Sequence, residues 1–356
     1  MHPRIAVRQL GIGATIVALA LVAAGPAAAR PAKRSRAYVV HKLVSDVAGA
    51  ADNMDKNLVN AWGLAAGPGT PWWVSDNGTD KSTLYNATGM PLPLVVSVPG
   101  APTGLVFNGT ANAFVVGASN ALFIFDTEGG TILGWNMASG TAATVKVDES
   151  SAGDVYKGLA IADTASGPRL YATDFHNGAV DVFDSSWQPV KVAGAFTDAR
   201  LPARYAPFGI QAIGDRIFVT YAKRQAGSDD EAHGRGLGFV DVFDTAGNLL
   251  GRVAHHGALN APWGIAKAPA GFGAFSRDLL VGNFGDGTVH AYKERHGRFT
   301  PAGTLRTAKG RKLRIDGLWA LEFGHGTTAN GPTDSLFFTA GPNDEKHGLF
   351  GTIRAR

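Results

Sequence analysis

Trp62, Thr103, Lys157, Phe208, Trp263 and Asp316 each stand immediately before a glycine, and each of those glycines is followed by Leu or Ile. Three of the six are aromatic and two carry opposite charge. Brought together, they would suit a small polar or sugar-like ligand, with aromatic faces as walls and charges to orient it. The same residues would equally make an apolar plug whose charges are solvated. A second group is rich in side-chain oxygen: Asp76, Asn77, Ser119, Asn120, Asp174, His176, Asn177, Asn283, Asp286, Asn343 and Asp344. Ca²⁺ takes roughly six to eight oxygen ligands, which makes Asp76, Asn77, Asp174, His176, Asn283 and Asn343 the candidate metal ligands. Asn, Asp and Gly are also the ordinary residues of tight turns. Among the histidines, His176 and His347 are best placed for a zinc or copper site assembled from distant segments. No His-x-His or His-Glu-x-x-His spacing accompanies them.

Other chemistries are excluded more firmly. The chain has no cysteine, so disulfides, thiolate ligands and cysteine nucleophiles are all absent. There is no Gly-x-Ser-x-Gly elbow and no glycine-rich phosphate loop leading into a helix. Asp181, Asp184, Asp241 and Asp244 recur at matching offsets, which reads as scaffold, with outward strand or turn positions rather than an acid and base pair.

What must position these residues is a repeat. The glycines at 63, 104, 158, 209, 264 and 317 are 41, 54, 51, 55 and 53 residues apart. Each is followed by a short apolar strand: Trp72–Val74, Ala113–Val116, Arg169–Ala172, Ile217–Val219, Leu279–Val281 and Leu336–Phe338. Turn residues follow, then strands of alternating character such as Leu122–Asp126, Val180–Asp184 and Val240–Asp244, then a fourth strand such as Pro189–Phe196 or Leu249–Ala254. Four antiparallel strands repeated six times predict an all-β, six-bladed β-propeller. The last unit lacks a fourth strand, whereas Tyr38–Val44 precedes the first unit without partners. The expectation is that this N-terminal strand closes the last blade and removes two exposed sheet edges. In such a ring blades three and six are opposite, so Lys157 is expected to face Asp316, and Trp62 to face Phe208. The repeat glycines are read as structural, placed where strands crowd at the axis. Two segments depart from the repeat. The polar loop from Ala222 to Gly238, with Lys223, Arg224, Asp229, Asp230, Glu231 and His233, reads as a lid, a binding loop or a disordered stretch. The segment from Ala138 to Asp154 reads as a blade connector.

Arg4 and Arg8, the apolar stretch Leu10–Ala24 and Ala27–Ala29 have the form of a secretory signal peptide cut after Ala29. The expected organisation is a signal peptide over 1–29, a basic leader over 30–37 and one propeller domain over 38–356, secreted or periplasmic. Removing Arg4, Arg8, Arg30, Lys33, Arg34 and Arg36 from the formal charge of +4 leaves −2. The folded body is therefore not the basic surface that nucleic acid requires. No later segment is apolar for long enough to span a bilayer as a helix, so no membrane span is expected in the mature form.

The succession of Pro207-Phe208-Gly209-Ile210 or Pro262-Trp263-Gly264-Ile265, an apolar strand, a polar turn and Val-x-Val-Phe-Asp resembles the NHL and gluconolactonase-like propeller superfamily. More narrowly, Asn57–Leu64 with Trp73–Asn77 resembles the opening of a family of uncharacterised exported bacterial proteins. Some members of that family carry a C-terminal PEP-CTERM tail, whereas this sequence ends in Thr352–Arg356. The gluconolactonase-like resemblance implies a calcium site of one Glu, two Asn and one Asp around the channel, and no Glu stands at an evident equivalent place. Two functional expectations follow. One is an exported module binding a small polar molecule, glycan or surface partner at the channel mouth. The other is a Ca²⁺-assisted hydrolase or lyase acting on a lactone or related ester.

Overall fold

Six short strands line one axis: Ala61–Ala65, Pro102–Phe107, Tyr156–Thr164, Tyr205–Ile213, Pro262–Lys267 and Leu318–Phe323. Each packs against the next, and the sixth packs against the first. A computed structural model describes residues 1–3, 35–191 and 193–356, with Ser35–Arg356 forming one compact unit. All but the first three residues of the expected signal peptide, and all but the end of the basic leader, lie outside the described residues. Each inner strand begins an antiparallel sheet, and the six sheets are the blades of a propeller.

The inner strands share a local device. In all six blades the pairing with the second strand slips across two residues: Trp62-Gly63, Thr103-Gly104, Lys157-Gly158, Phe208-Gly209, Trp263-Gly264 and Trp319-Ala320. Such a bulge re-aims a side chain and brings the backbone up against its neighbour. A Cβ on Gly63 would lie 2.4 Å from the Thr103 carbonyl oxygen, and one on Gly209 would lie 2.2 Å from that of Trp263. These glycines are needed for close approach rather than for a left-handed backbone. The second-strand residue that faces the slip secures the bulge. Thr220 Oγ1 accepts the Gly209 N–H at 2.8 Å, and Thr339 Oγ1 accepts that of Ala320 at 3.0 Å. Thr173 Oγ1 donates to the Phe208 carbonyl of the next blade at 2.9 Å, and Thr339 likewise bonds the Trp62 carbonyl across the ring closure.

This register corrects one expectation. In blade 6 the residue equivalent to Trp62 is Trp319, because Leu318 pairs with Ala340 as Ala61 pairs with Asp76. Asp316-Gly317 belongs to the turn before it, where Gly317 has φ +63°.

The N-terminal strand behaves as expected. Tyr38–Ser45 pairs antiparallel with the final strand, from Tyr38 opposite Ala355 to Ser45 opposite Leu349. Three other expectations are corrected. In blade 2, Phe123–Thr127 is the second strand and Ala113–Val116 is not, because Val115–Val116 forms a small hairpin with Ser119–Asn120. Thr144–Asp148 is the outer strand of that blade, so the segment read as a connector is partly blade. In blade 3, among the described residues, the stretch Pro189–Phe196 contributes a bridge between Phe183 and Pro189 rather than a fourth strand.

Alternating side chains fill the gaps between blades with six apolar clusters, for example Leu170, Ala172, Tyr156 and Ile124 between blades 2 and 3. The axial approach can be tested directly. Gly209→Ala is expected to lower Tm by roughly 4–10 °C through overpacking. Gly251→Ala, where a Cβ would meet nothing within 4 Å, is the control and should leave Tm nearly unchanged.

Candidate functional site

The loops that enter the inner strands and those that join second to third strands share one face of the disc. They enclose a cup of about 500 Å³. All six blades contribute. Asn60, Trp62 and Asn77 come from blade 1, Glu128 from blade 2, Lys157 from blade 3, Glu231 and His233 from the blade 4 loop, Phe284 from blade 5, and Asp316, Asp344 and Glu345 from blade 6. A larger groove of about 590 Å³, lined by Arg252, His255 and His290, lies along the outer strands of blades 4 and 5. It draws on two blades and on cations already paired with Asp198 and Asp241, so the cup is the better candidate.

The floor is aromatic. Trp62 stacks on Trp319 at 3.6 Å between centroids, and Trp319 stacks on Phe284 at 3.9 Å. Trp263 meets both tryptophans edge-on, and its Nε1–H donates to the Lys157 carbonyl across the axis at 2.8 Å. Phe208 packs on Trp319 at 5.8 Å. These rings close the channel, so the aromatics plug the axis as well as flooring the cup.

The wall is a hydrogen-bonded arc. Trp319 Nε1–H donates to Asn60 Oδ1 (3.1 Å), and Asn60 Nδ2 donates to Asn77 Oδ1 (3.1 Å) and to Glu345 Oε1 (3.3 Å). Asn77 Nδ2 donates to Glu128 Oε2 at 2.8 Å, and Glu128 Oε1 pairs with Lys157 Nζ at 2.5 Å. On the far side His233 Nε2 meets Glu231 Oε1 at 2.9 Å. The loop carrying Glu231 is folded, not loose. Ala232 N–H bonds the Lys223 carbonyl at 2.7 Å, Gln225 N–H bonds the Asp230 carbonyl at 2.9 Å, and Arg224 reaches the His176 carbonyl.

Charge sets the proton affinities. Burial pushes the Glu345 carboxyl up to about 7, with Glu231 and Glu128 adding to the rise. Burial pulls on the Lys157 ammonium, but Glu128 more than offsets it and the net shift is upward. The hydrogen bond to Glu231 raises His233. Asn343, Asp344 and Glu345 are three consecutive non-glycine residues with positive φ, at 60°, 50° and 63°. Each such residue is strained by roughly 1–2 kcal/mol, and strain of this kind concentrates at functional sites.

The residues singled out from the sequence divide clearly. Trp62, Lys157 and Asp316 line the cup. Lys157 and Asp316 both reach the cup, where Lys157 pairs with Glu128 and Asp316 accepts the Asn343 N–H at 2.9 Å. Trp62 and Phe208 both pack on Trp319. Thr103 is buried, bonding the Asp126 carboxylate at 2.8 Å and the Tyr156 carbonyl at 2.9 Å. Of the turn residues, Asn77 and Asp344 reach the cup. Asn283 is satisfied by Asn260, Ala258, Asp286 and Thr288. His176 pairs with Asp229, His347 with Asp46, and Asp76 is fully buried. The turn residues thus fall into separate groups. Glu128, Glu345, Asn60 and Trp319 were missed, and Glu231 was singled out only as part of the long blade 4 loop. The signal shared by all but Trp319 is position, just outside an inner strand or in a loop between second and third strands.

Asp174 belongs to a different cluster. Asp154, Asp174 and Asp181 hold carboxylate oxygens within 4.8 Å of one another in blade 3. Asp181 is pushed up to about 7 by burial, then by Asp154 and Asp174. Asp241, at the same third-strand position of blade 4, is buried and bonded to Arg252 at 2.7 Å. The expectation that Asp181 and Asp241 face outward is thereby corrected. Asp184 and Asp244 do serve turns, accepting N–H groups of Ser186 and Gln188, and of Ala246 and Asn248.

No protein-family model matches the sequence. The chain is 31% identical over 340 residues to the uncharacterised protein R648 of Acanthamoeba polyphaga mimivirus, covering 91% of this chain and 82% of that one. Among solved structures, a protein of unknown function from Bacteroides thetaiotaomicron superposes with TM-score 0.57 at 11% identity, covering 89% of this chain and 76% of that one. The apo form of the soluble aldose sugar dehydrogenase of Escherichia coli superposes with TM-score 0.54 at 13% identity, covering 90% and 100%. Identities this low bear on the fold alone. The expectation of an exported bacterial family finds no support in a viral relative.

The acidic clusters carry a pH signature. Glu345 and Asp181 hold protons to about pH 7 when folded, but ionise in the ordinary carboxylate range when unfolded. The folded state binds more protons in between, so stability present at low pH is lost as pH rises through 7. Tm is expected to be higher at pH 6 than at pH 8. Asp181→Asn should raise Tm at pH 8 by roughly 2–4 °C and flatten the profile. A Tm that climbs from pH 6 to pH 8 would contradict this.

Proposed function

We propose, on the premise that this chain belongs to the same family as the mimivirus protein R648, that it is a binding propeller taking a small polar ligand in the acidic cup. The observation that carries this reading is the convergence of polar side chains from separate blades over a closed aromatic floor. A propeller of similar fold, the aldose sugar dehydrogenase of Escherichia coli, acts on a sugar, which supports a polyhydroxylated or similarly small ligand here. The floor supplies apolar contact, and the rim supplies donors and acceptors that fix orientation.

The calcium-assisted alternative is weaker. Glu128, Glu231 and Glu345 bring glutamates to the cup. The two amide oxygens at the wall each accept one hydrogen bond, Asn60 Oδ1 from the Trp319 N–H and Asn77 Oδ1 from Asn60. The indole N–H fixes the Asn60 amide with its oxygen inward, because Trp can only donate. A cation drawing on these oxygens would share them with the bonds that hold the wall, so the calcium reading carries less than the binding one.

Export belongs to the same reading and rests on Arg4, Arg8, Leu10–Ala24 and Ala27–Ala29. N-terminal sequencing of protein recovered from outside the cytoplasm is expected to begin at Arg30. Recovery of uncut chain in the cytoplasm would refute it. For the cup, calorimetric screening of small sugars and amines should find a ligand whose affinity falls by about tenfold or more in Trp62→Ala, the loss of roughly 1.4 kcal/mol or more. Binding unchanged in Trp62→Ala and Glu345→Gln alike would place the ligand elsewhere.

A further inference from the structure

Within the cup, charge is not balanced. Its six carboxylates, from Glu128, Asp230, Glu231, Asp316, Asp344 and Glu345, are matched among the lining residues by Lys157 and His233. Both cations are engaged, Lys157 by Glu128 at 2.5 Å and His233 by Glu231 at 2.9 Å. A ligand entering this space displaces water, so its own charge must offset that of the wall. An anion would add like charge, and a neutral sugar would leave the excess uncompensated. A hard metal cation would have to share the Asn60 and Asn77 oxygens with the bonds that hold the wall.

A second observation is independent of the carboxylates. Trp62 is 2% exposed and lines the cup, yet its Nε1–H has no acceptor. A buried donor without a partner is destabilising and rare in folded proteins. The neighbouring indoles of Trp263 and Trp319 are both satisfied, at 2.8 and 3.1 Å. The Trp62 N–H is enclosed as well as unbonded, so what this residue offers the cup is its ring. The ring also tolerates an ammonium, since Lys157 Nζ lies 5.3 Å from the Trp62 centroid and 5.9 Å from that of Phe175.

We propose that the cup selects a primary amine, the ammonium meeting Glu345 and Glu231 beside the Trp62 ring. The proposal rests on the reading of the cup as the ligand site. Glu345 is faced by Glu231, Asp230 and His233 from blade 4, Glu128 from blade 2, Lys157 from blade 3, and Asp316 and Asp344 from its own blade. Because Glu345 is half protonated near neutrality, an arriving ammonium favours its ionised form and displaces the proton. Amine binding should accordingly weaken as the medium is acidified.

The test titrates the full chain calorimetrically with ethanolamine against N-acetylethanolamine, and with glucosamine against N-acetylglucosamine and glucose. In at least one pair at neutral pH, the amine is expected to bind about tenfold more tightly than its acetylated counterpart. That preference should shrink to about threefold or less in Glu345→Gln and at pH 5.5. Trp62→Ala, which removes the ring, should weaken the amine by about threefold or more, with Tm measured to confirm folding. Matched affinities within each pair would overturn the amine class while leaving the cup as a ligand site. Failure of every probe, charged and neutral, would overturn both.

Discussion

Everything in this molecule depends on how closely six backbones approach one another at an axis. At Gly63, Gly209 and Gly264 the distance to the next blade's carbonyl oxygen leaves no room for a Cβ. The two-residue slip in each inner strand makes that approach possible, and hydroxyls such as Thr173, Thr220 and Thr339 hold the slipped backbone in place. Such contacts are each worth only about 1 kcal/mol net. Their effect is geometric, because they set the angle at which one sheet meets the next and hence whether Tyr38–Ser45 arrives beside the final strand.

The same slip explains the cup. It turns the first of the two slipped residues toward the axis, so Trp62, Trp263 and Trp319 meet and seal the channel. With the axis sealed, ligand space is confined to the face where the loops gather. Those loops then supply the carboxylates, and the strained run Asn343–Glu345 holds one of them against the others. Burial in that company raises the Glu345 proton affinity to the neutral range. The scaffold thus turns a chain of slightly negative body into a site of concentrated negative charge.

Equivalent positions around the ring show how far this is local. Asp181 and Asp241 occupy the same place in adjacent blades, yet Asp241 has Arg252 beside it and Asp181 has Asp154 and Asp174. One position is neutralised by a cation, and the other, crowded by carboxylates, holds its proton up to about pH 7. Blade repetition therefore sets the place of a side chain and not its chemistry, which comes from whichever residue the outer strand or entering loop supplies.

Much was legible from sequence because propeller blades are local. Period-two strands, the Gly-Leu/Ile step and the orphan strand at Tyr38 are patterns within about fifty residues, and they determined the all-β class, the blade number and the ring closure. The misreadings arose where that local pattern is ambiguous. Ala113–Val116 is apolar enough for a strand but sits in a loop, and Asp316-Gly317-Leu318 mimics the repeat three residues ahead of Trp319-Ala320. The cup was beyond reach of this kind of reading. Glu128, Glu231 and Glu345 lie in turns with no common motif, and they meet only because the ring brings residues more than a hundred positions apart to one rim. Sequence by itself thus determined the blades, since hydrogen-bonded strands are written in nearest neighbours. The tertiary structure alone decided the site, since side-chain charge and burial depend on which loops the closed ring sets face to face.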